Sequence, residues 1–332
     1  MTESKDNLEI DAVISWVDGK DPKHKEKLKR CIGNEKRGSI PGAHNTRFDS
    51  VNEIKYCVLS ILKFAPFVKK IFIITDNQNP NLNNDIKKFF PNKLDSISVV
   101  DHKEIFEGYE QFLPTFNART IETFMWRIKG LSNKFVYFND DFFIVKPMKP
   151  EDWFLNDRPV MRGVWKPRPS FIIFYKNIVK FIKRIYLRKK EVHLKPTFKT
   201  SLWWAASKLG FKWKYFKINH TPHPLDRERI EDFFKKNKNI FLNNAMHKFR
   251  YYTQFNPVTL YNHIEIKSGN RQFKPYDEVY LKPVNRGANY IDRKIKEFNK
   301  DNIKYICAQS LDLAPQNDRE KLLNWLENLL SN

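Results

Sequence analysis

Short, continuous apolar runs and helical stripes alternate along the first half of the chain. Ile10-Asp11-Ala12-Val13-Ile14-Ser15-Trp16-Val17 predicts a first strand, stopped by Asp18-Gly19 and then Asp21-Pro22. Ile71–Asp76 and Ile97–His102 predict two more buried strands, and Phe135–Phe138 a fourth that runs directly into Asn139-Asp140-Asp141. Residues 22–60 open as a polar, glycine-containing loop around Ile40-Pro41-Gly42. A helix follows over about Val51 to Phe64, entered by Asp49-Ser50 and ended near Pro66, and another spans Ala118 to Arg127. The tail from about Asp318 to Leu330 has the period of an ordinary amphipathic helix. Strand and helix alternation of this kind predicts an α/β sheet, and polar residues collect at the carboxyl ends of its strands, where such sheets bind ligands. No internal repeat is present, so a solenoid is excluded.

Residues 162–217 differ in character. From Ser170 to Lys190, Phe171, Phe174, Ile178, Phe181, Ile182 and Ile185 fall on one helical face, with Lys176, Lys180, Lys183, Arg184 and Arg188 on the other. From Arg162 to Lys217 sixteen Lys/Arg stand against one acid, Glu191, so this stretch holds +15 of the net charge of +22. A charge of that size asks for a nucleic acid, an anionic membrane or a phosphorylated substrate as partner. Interleaved Trp203-Trp204 and Phe211-Lys212-Trp213-Lys214-Tyr215 suit an interfacial helix on anionic lipid. They would also suit single-stranded nucleic acid, but no RNP, KH or helix-turn-helix signature accompanies them.

At 41% hydrophobic and 15% aromatic, the 332 residues can bury a substantial core, which excludes global disorder. No apolar run reaches the roughly 18–20 residues of a membrane-spanning helix, and mean hydropathy is −0.62. Met1–Asp6 lacks a basic-then-apolar signal, so secretion is not expected of the chain as given. Cys31, Cys57 and Cys307 have no metal or redox spacing and read as thiols in a reducing compartment.

Asp140 and Asp141 are adjacent carboxylates at a strand end, which suits Mg²⁺ or Mn²⁺ bridging diphosphate oxygens; capping of the next turn is the plainer alternative. His220-Thr221-Pro222-His223 sets two histidines beside Asp226-Arg227, and a histidine near neutrality can act as general base. Two prolines rule out a helical zinc motif there and leave a surface turn as the alternative. Arg250, in His247-Lys248-Phe249-Arg250, and Arg47, after His44-Asn45-Thr46, could each clamp a phosphate or simply be solvated. No nucleophile elbow, catalytic cysteine context or P-loop is present, and ten glycines are few for a glycine-cradled dinucleotide.

Taken together, the motifs resemble the Stealth family, the hexose-1-phosphate transferases of bacterial capsule synthesis, to which the animal N-acetylglucosamine-1-phosphotransferase is also related. The likeness rests on Ile10–Pro22, on a second block from Arg47-Phe48 through Glu53–Tyr56, Ile71–Gln78, Leu113–Asn117 and Ile121-Glu122 to Tyr137–Phe142, and on His220–His223 with Asp226-Arg227 and His247–Arg250. A fourth block begins at Lys304-Tyr305-Ile306-Cys307, but Ala308-Gln309-Ser310 replaces the acidic Asn-Asp, with Asp312 the nearest substitute.

The fold expected is α/β, a Rossmann-like or glycosyltransferase-A-like, mostly parallel sheet flanked by helices; the basic aromatic helical insertion read above at 162–217 is not part of the family pattern. Residues 1–161 would form the nucleotide-sugar-binding core, 162–217 the docking insertion, and 218–332 the remainder of the catalytic core. The resemblance implies transfer of a sugar-1-phosphate from a UDP-sugar to a glycan or lipid-linked hydroxyl, with release of UMP. On that reading Asp140 and Asp141 hold Mg²⁺ or Mn²⁺, and Arg250 and Arg47 stabilise the phosphoryl group. His220 or, as alternate, His223 is the base, and Trp16, Asp18, Asp21, Thr115, Asn117 and Glu122 line the donor pocket. The enzyme is expected in the cytoplasm, peripheral on the inner face of a bacterial plasma membrane. The competing readings are a metal-dependent glycosyltransferase that releases UDP, and a basic membrane- or nucleic-acid-binding module.

Overall fold

The computed structural model describes residues 8–33, 40–41, 51–186, 194–274, 276–287 and 289–331. Strand β1 (Ile10–Ser15) is followed by helix α1 (Pro22–Ile32), where the sequence suggested loop. Asp21 caps α1 by accepting from the His24 backbone N–H, Pro22 starts it, and only His24 and Leu28 are buried, too few apolar positions to register as a stripe. Helix α2 (Glu53–Phe64) and strands β2 (Val68–Thr75) and β3 (Ile97–Asp101) follow as expected; the Asp49-Ser50 entrance of α2 lies outside the described residues. After helix α3 (Ala118–Phe124) and strand β4 (Lys134–Asn139), the chain turns through Asp140-Asp141 into β5 (Phe142–Ile144).

The second half contributes β6 (Met161–Pro167), α4 (Ser170–Tyr186), α5 (Phe198–Lys208), β7 (Lys214–Ile218) and β8 (His223–Asp226). It ends with α6 (Pro257–Lys267), β9 (Glu278–Leu281), β10 (Tyr305–Ala308) and α7 (Gln316–Ser331). The main sheet has the order β8-β4-β1-β2-β3, with β4, β1, β2 and β3 parallel and β8 antiparallel at the edge. This is the mostly parallel, helix-flanked α/β architecture expected. The His220–Arg227 segment is therefore more than a turn. Pro224 is accommodated because β8 is an edge strand, where a missing N–H costs no ladder bond.

Residues of β1, β2 and β4 alternate between two cores. Ala12, Ile14, Ile73 and Phe138 pack with α2 and α7 on one face, and Val13, Phe72, Ile74 and Tyr137 pack with α3, α5 and α6 on the other. A second sheet, β9-β10-β5, abuts the first through the Asp140-Asp141 turn, because β4 and β5 belong to different sheets. The Ala308 N–H donates to the Asp141 carbonyl, which holds the end of β10 beside the carboxylate turn.

The 162–217 segment does not behave as one docking unit. Its two ends pair as an antiparallel ladder, from Gly163 opposite Ile218 to Pro167 opposite Lys214. Helix α5 buries Leu202, Trp203, Ala205 and Ala206 in the second core, and the Trp204 indole donates to the Tyr252 carbonyl, so these tryptophans are structural. Arg162 is fully buried, its guanidinium 2.9 Å from the Asp277 carboxylate and stacked on Tyr305. Helix α4 alone stays on the surface; the part predicted beyond Tyr186, to Lys190, lies outside the described residues.

Candidate active site

The carboxyl ends of β1, β2 and β4 open into a cavity of about 490 Å³, walled by Trp16, Glu53, Asp76, Asp140, Asp141 and Asp312 among others. A second cavity of about 500 Å³ is walled by Lys195, Phe198, His220, His223 and, at the start of α6, Asn256 and Val258. The two share Glu122, Tyr137, Asn139, Asp141, Arg250 and Gln309, so they are two lobes of one cleft with those six side chains at the junction. Placement at strand carboxyl ends follows from the parallel topology.

Asp140 and Asp141 sit where β4 leaves the main sheet. Burial pushes both carboxyls up, and Glu53 adds to the effect: Asp141 rises to about 7, and Asp140, which also feels Asp141, rises well above the usual range. Cys307 donates weakly to one Asp141 oxygen at 3.8 Å, while Asp141 Oδ1 is buried without a hydrogen-bond partner. An acceptor in that state, beside a second acid and near a third, suits a hard divalent cation; Mg²⁺ commonly takes only one or two protein carboxylates, with water and phosphate completing its shell. Among the described residues no group of three His, Cys, Asp or Glu side chains forms a ligand cage on its own.

Glu122, on α3, is buried, and this drives its carboxyl up to about 7 while Arg250 and Arg119 pull it back. Tyr137 donates to one of its oxygens at 3.3 Å, and the other lacks a partner. Arg250 is brought to the junction by a zipper between two distant segments. The Phe116 N–H donates to the Lys248 carbonyl, Asn117 Nδ2 and Thr120 Oγ1 donate to the His247 carbonyl, and Phe116 stacks on Phe249 at 5.5 Å.

Asn117 is thus a bracket rather than a pocket residue: it is fully buried, caps α3 and also donates to Gln254. Asp21 serves as the α1 cap, and Asp18 orders its own turn by accepting from the Lys20 N–H; neither lies in the walls of the lobes. Trp16 and Thr115 do line the first lobe, with Trp16 Nε1 and Thr115 Oγ1 buried and without hydrogen-bond partners. Arg47 lies outside the described residues.

His220 is held between Phe198 and Tyr280, with ring centroids 5.6 and 4.9 Å away, and Tyr280 donates in turn to Gln309 at the junction. Burial, helped by Lys217, lowers its pKa and keeps the ring neutral. His223, on β8 opposite Tyr137, is buried more deeply: burial, then His220 and Arg162, take it down to about 3. Sequence reasoning missed Glu53, Gln309, His24 and His102 as wall residues. His24 and Leu28, four apart on α1 and both buried, were the available signal for the first histidine. Asp312, the substitute carboxylate of the weak fourth block, does reach the first lobe.

The site is thus a two-lobed polar cleft at the strand ends of an α/β fold, with paired acids in the first lobe and Asp141 and Arg250 at its waist. Residues 9–36 match Stealth protein CR1, conserved region 1, and residues 47–161 match Stealth protein CR2, conserved region 2. Over these two regions the chain is similar to the Stealth family.

Its relatives include a capsular polysaccharide phosphotransferase of Actinobacillus pleuropneumoniae, 38% identical over 44% of this chain and 38% of that protein. Another, from Haemophilus influenzae, is 40% identical over 44% of this chain and 38% of that protein. The chain thus spans about two fifths of the length of these relatives. The receptor polysaccharide phosphotransferase WefC of Streptococcus oralis is 28% identical over 78% of this chain and 79% of its own. Among solved structures, a galactosyltransferase, LgtC, in complex with donor and acceptor sugar analogs superposes with a TM-score of 0.45 at 9% identity, over 97% of this chain and 95% of its own.

Proposed function

We propose that the chain transfers a sugar-1-phosphate from a UDP-sugar to a hydroxyl of a glycan or lipid-linked acceptor, in capsule or surface polysaccharide synthesis. The observation that carries this reading is the waist of the cleft. Asp141 and Arg250 meet there, with Asp140 beside them in a lobe rich in acids and, on the other side, a lobe that presents a neutral histidine. The phosphotransferase names of the relatives agree with it.

In this mechanism the UDP-sugar occupies the first lobe, with Trp16 offering an indole face to the base. Asp140 and Asp141 would hold Mg²⁺ or Mn²⁺, which when bound neutralises diphosphate charge. Arg250 stabilises the non-bridging oxygens of the phosphorus that bears the sugar as charge builds on them. The acceptor lies in the second lobe, its hydroxyl directed to His220, whose lowered pKa leaves a nitrogen lone pair free to take the proton. The acceptor oxygen bonds to that phosphorus, the phosphorus–oxygen bond to the uridylate breaks, and UMP departs. His223, held near pKa 3, is too weak a base for the task and buttresses the lobe.

A panel of UDP-sugars with chromatographic identification of the released nucleotide tests the reaction. UMP is expected; UDP alone would replace this reading with sugar transfer to the anomeric carbon. His220→Ala and Asp141→Ala should each lower turnover by about 10²–10⁴-fold, as loss of a general base or of charge stabilisation does. Near-normal rates in a folded variant would remove that residue from the mechanism.

A further inference from the structure

Helix α4 is amphipathic, yet it is turned the opposite way from a surface helix of a soluble protein, whose apolar stripe faces the core. Of its 17 residues only Ile173 is buried. At 100° per residue, Phe171, Phe174, Ile178, Phe181, Ile182 and Ile185 form one stripe, and all six are exposed, Phe171 at 81%, Phe174 at 64% and Phe181 at 66%. Ile173 lies on the far side of the helix from that stripe, in the company of Lys176, Lys180 and Arg184. The body of the protein is therefore contacted from the cationic side. Lys176 reaches back to the Lys195 carbonyl and sits 5.0 Å over the Tyr252 ring.

The patch extends past the helix. The carbonyl of Trp213, a residue 80% exposed, accepts from the Arg168 N–H just before α4 begins, and Lys212 and Lys214 flank it. No Asp or Glu occurs from Met161 to Lys190. Among the described residues no helix is long and apolar enough to cross a membrane. We infer that α4 and Trp213 seat the protein on an anionic lipid bilayer, with the aromatic stripe in the headgroup–acyl boundary and the exposed cations beyond Lys176, namely Lys180, Lys183 and Arg184, reaching lipid phosphates from the helix flanks. Charge decides against a second copy as occupant, since the face would meet its own uncompensated cations. The inference is independent of the phosphotransfer reading.

Co-sedimentation of the full chain with phosphatidylcholine vesicles, with and without phosphatidylglycerol, tests it. Binding should be at least about tenfold tighter to the anionic vesicles and fall with added salt. Phe171→Asp/Phe174→Asp/Phe181→Asp should lose at least about tenfold in partitioning, and Lys180→Glu/Lys183→Glu/Arg184→Glu should lose the anionic preference. Both sets change exposed positions, so thermal melting should match that of the native chain, and UDP-sugar turnover with a soluble acceptor provides a separate readout. No binding by the native chain, or equal partitioning of the native and triple-Asp chains, overturns the inference. So does a native dimer that the triple-Asp chain converts to monomer while vesicle binding stays the same.

Discussion

Glu122 illustrates what the cleft costs the fold at the level of one side chain. Its carboxyl titrates near the usual 4.5 when the chain is unfolded and near 7 in the fold, so its contribution favours folding below 4.5 and is lost as pH rises through 7. Glu122→Gln should therefore melt a few °C above the native chain at pH 8, because 1 kcal/mol is worth about 2–4 °C in domains approaching this size, and the gap should close near pH 4. A gap that does not change between those pH values, followed by thermal unfolding, would show that Glu122 is ionised at no cost. Residues of this kind were legible in sequence only where neighbours announced them. Asp140-Asp141 followed directly on an apolar run, and Ile121-Glu122 sat inside a recognisable block. Glu53 and Gln309 reach the same cavity from segments far apart in the chain, a convergence that no local pattern encodes.

Among the elements, the parallel strands were legible because burial on both faces makes them near-continuous apolar runs. Strand β8 was obscured by Pro224 within it and Pro222 just before it, and β10 by its shortness, while α1 was hidden by a surface that is polar almost all round. The basic segment was legible as composition but not as architecture. Its ladder at Gly163 shows how tightly the ends are stitched: an added Cβ would lie 2.3 Å from the Lys217 carbonyl and under 3 Å from the Phe216 ring. Gly163→Ala should thus destabilise the protein by about 1–3 kcal/mol, the usual penalty for overpacking, measurable by denaturant unfolding. A neutral result would mean that β6 and β7 can part without cost. Because α5 belongs to the core while α4 does not, deletion of the whole 162–217 stretch would remove hydrophobic core as well as the surface helix.

For the whole molecule, the charge of +22 divides into parts with separate tasks. Some cations, such as Arg162 with Asp277 and Lys134 with Asp226, are consumed in buried pairs, and others crowd the exposed helix. Arg250 stands at the cleft. Ligand linkage provides a direct check on the acidic lobe: Mn²⁺ with UDP at about a hundred times its Kd should stabilise the native chain by about 2.7 kcal/mol. Asp140→Asn/Asp141→Asn should abolish the resulting rise in melting temperature, and an undiminished rise would place the nucleotide elsewhere.

The six side chains common to both lobes have a further consequence. A ligand entering one lobe presses on walls that also bound the other, and Gln309, tethered to Tyr280 and through it to His220, spans the two. Any effect that an occupant of one lobe has on affinity in the other must be matched by an equal effect in return. Donor and acceptor would report on each other's presence through side chains that belong to neither alone.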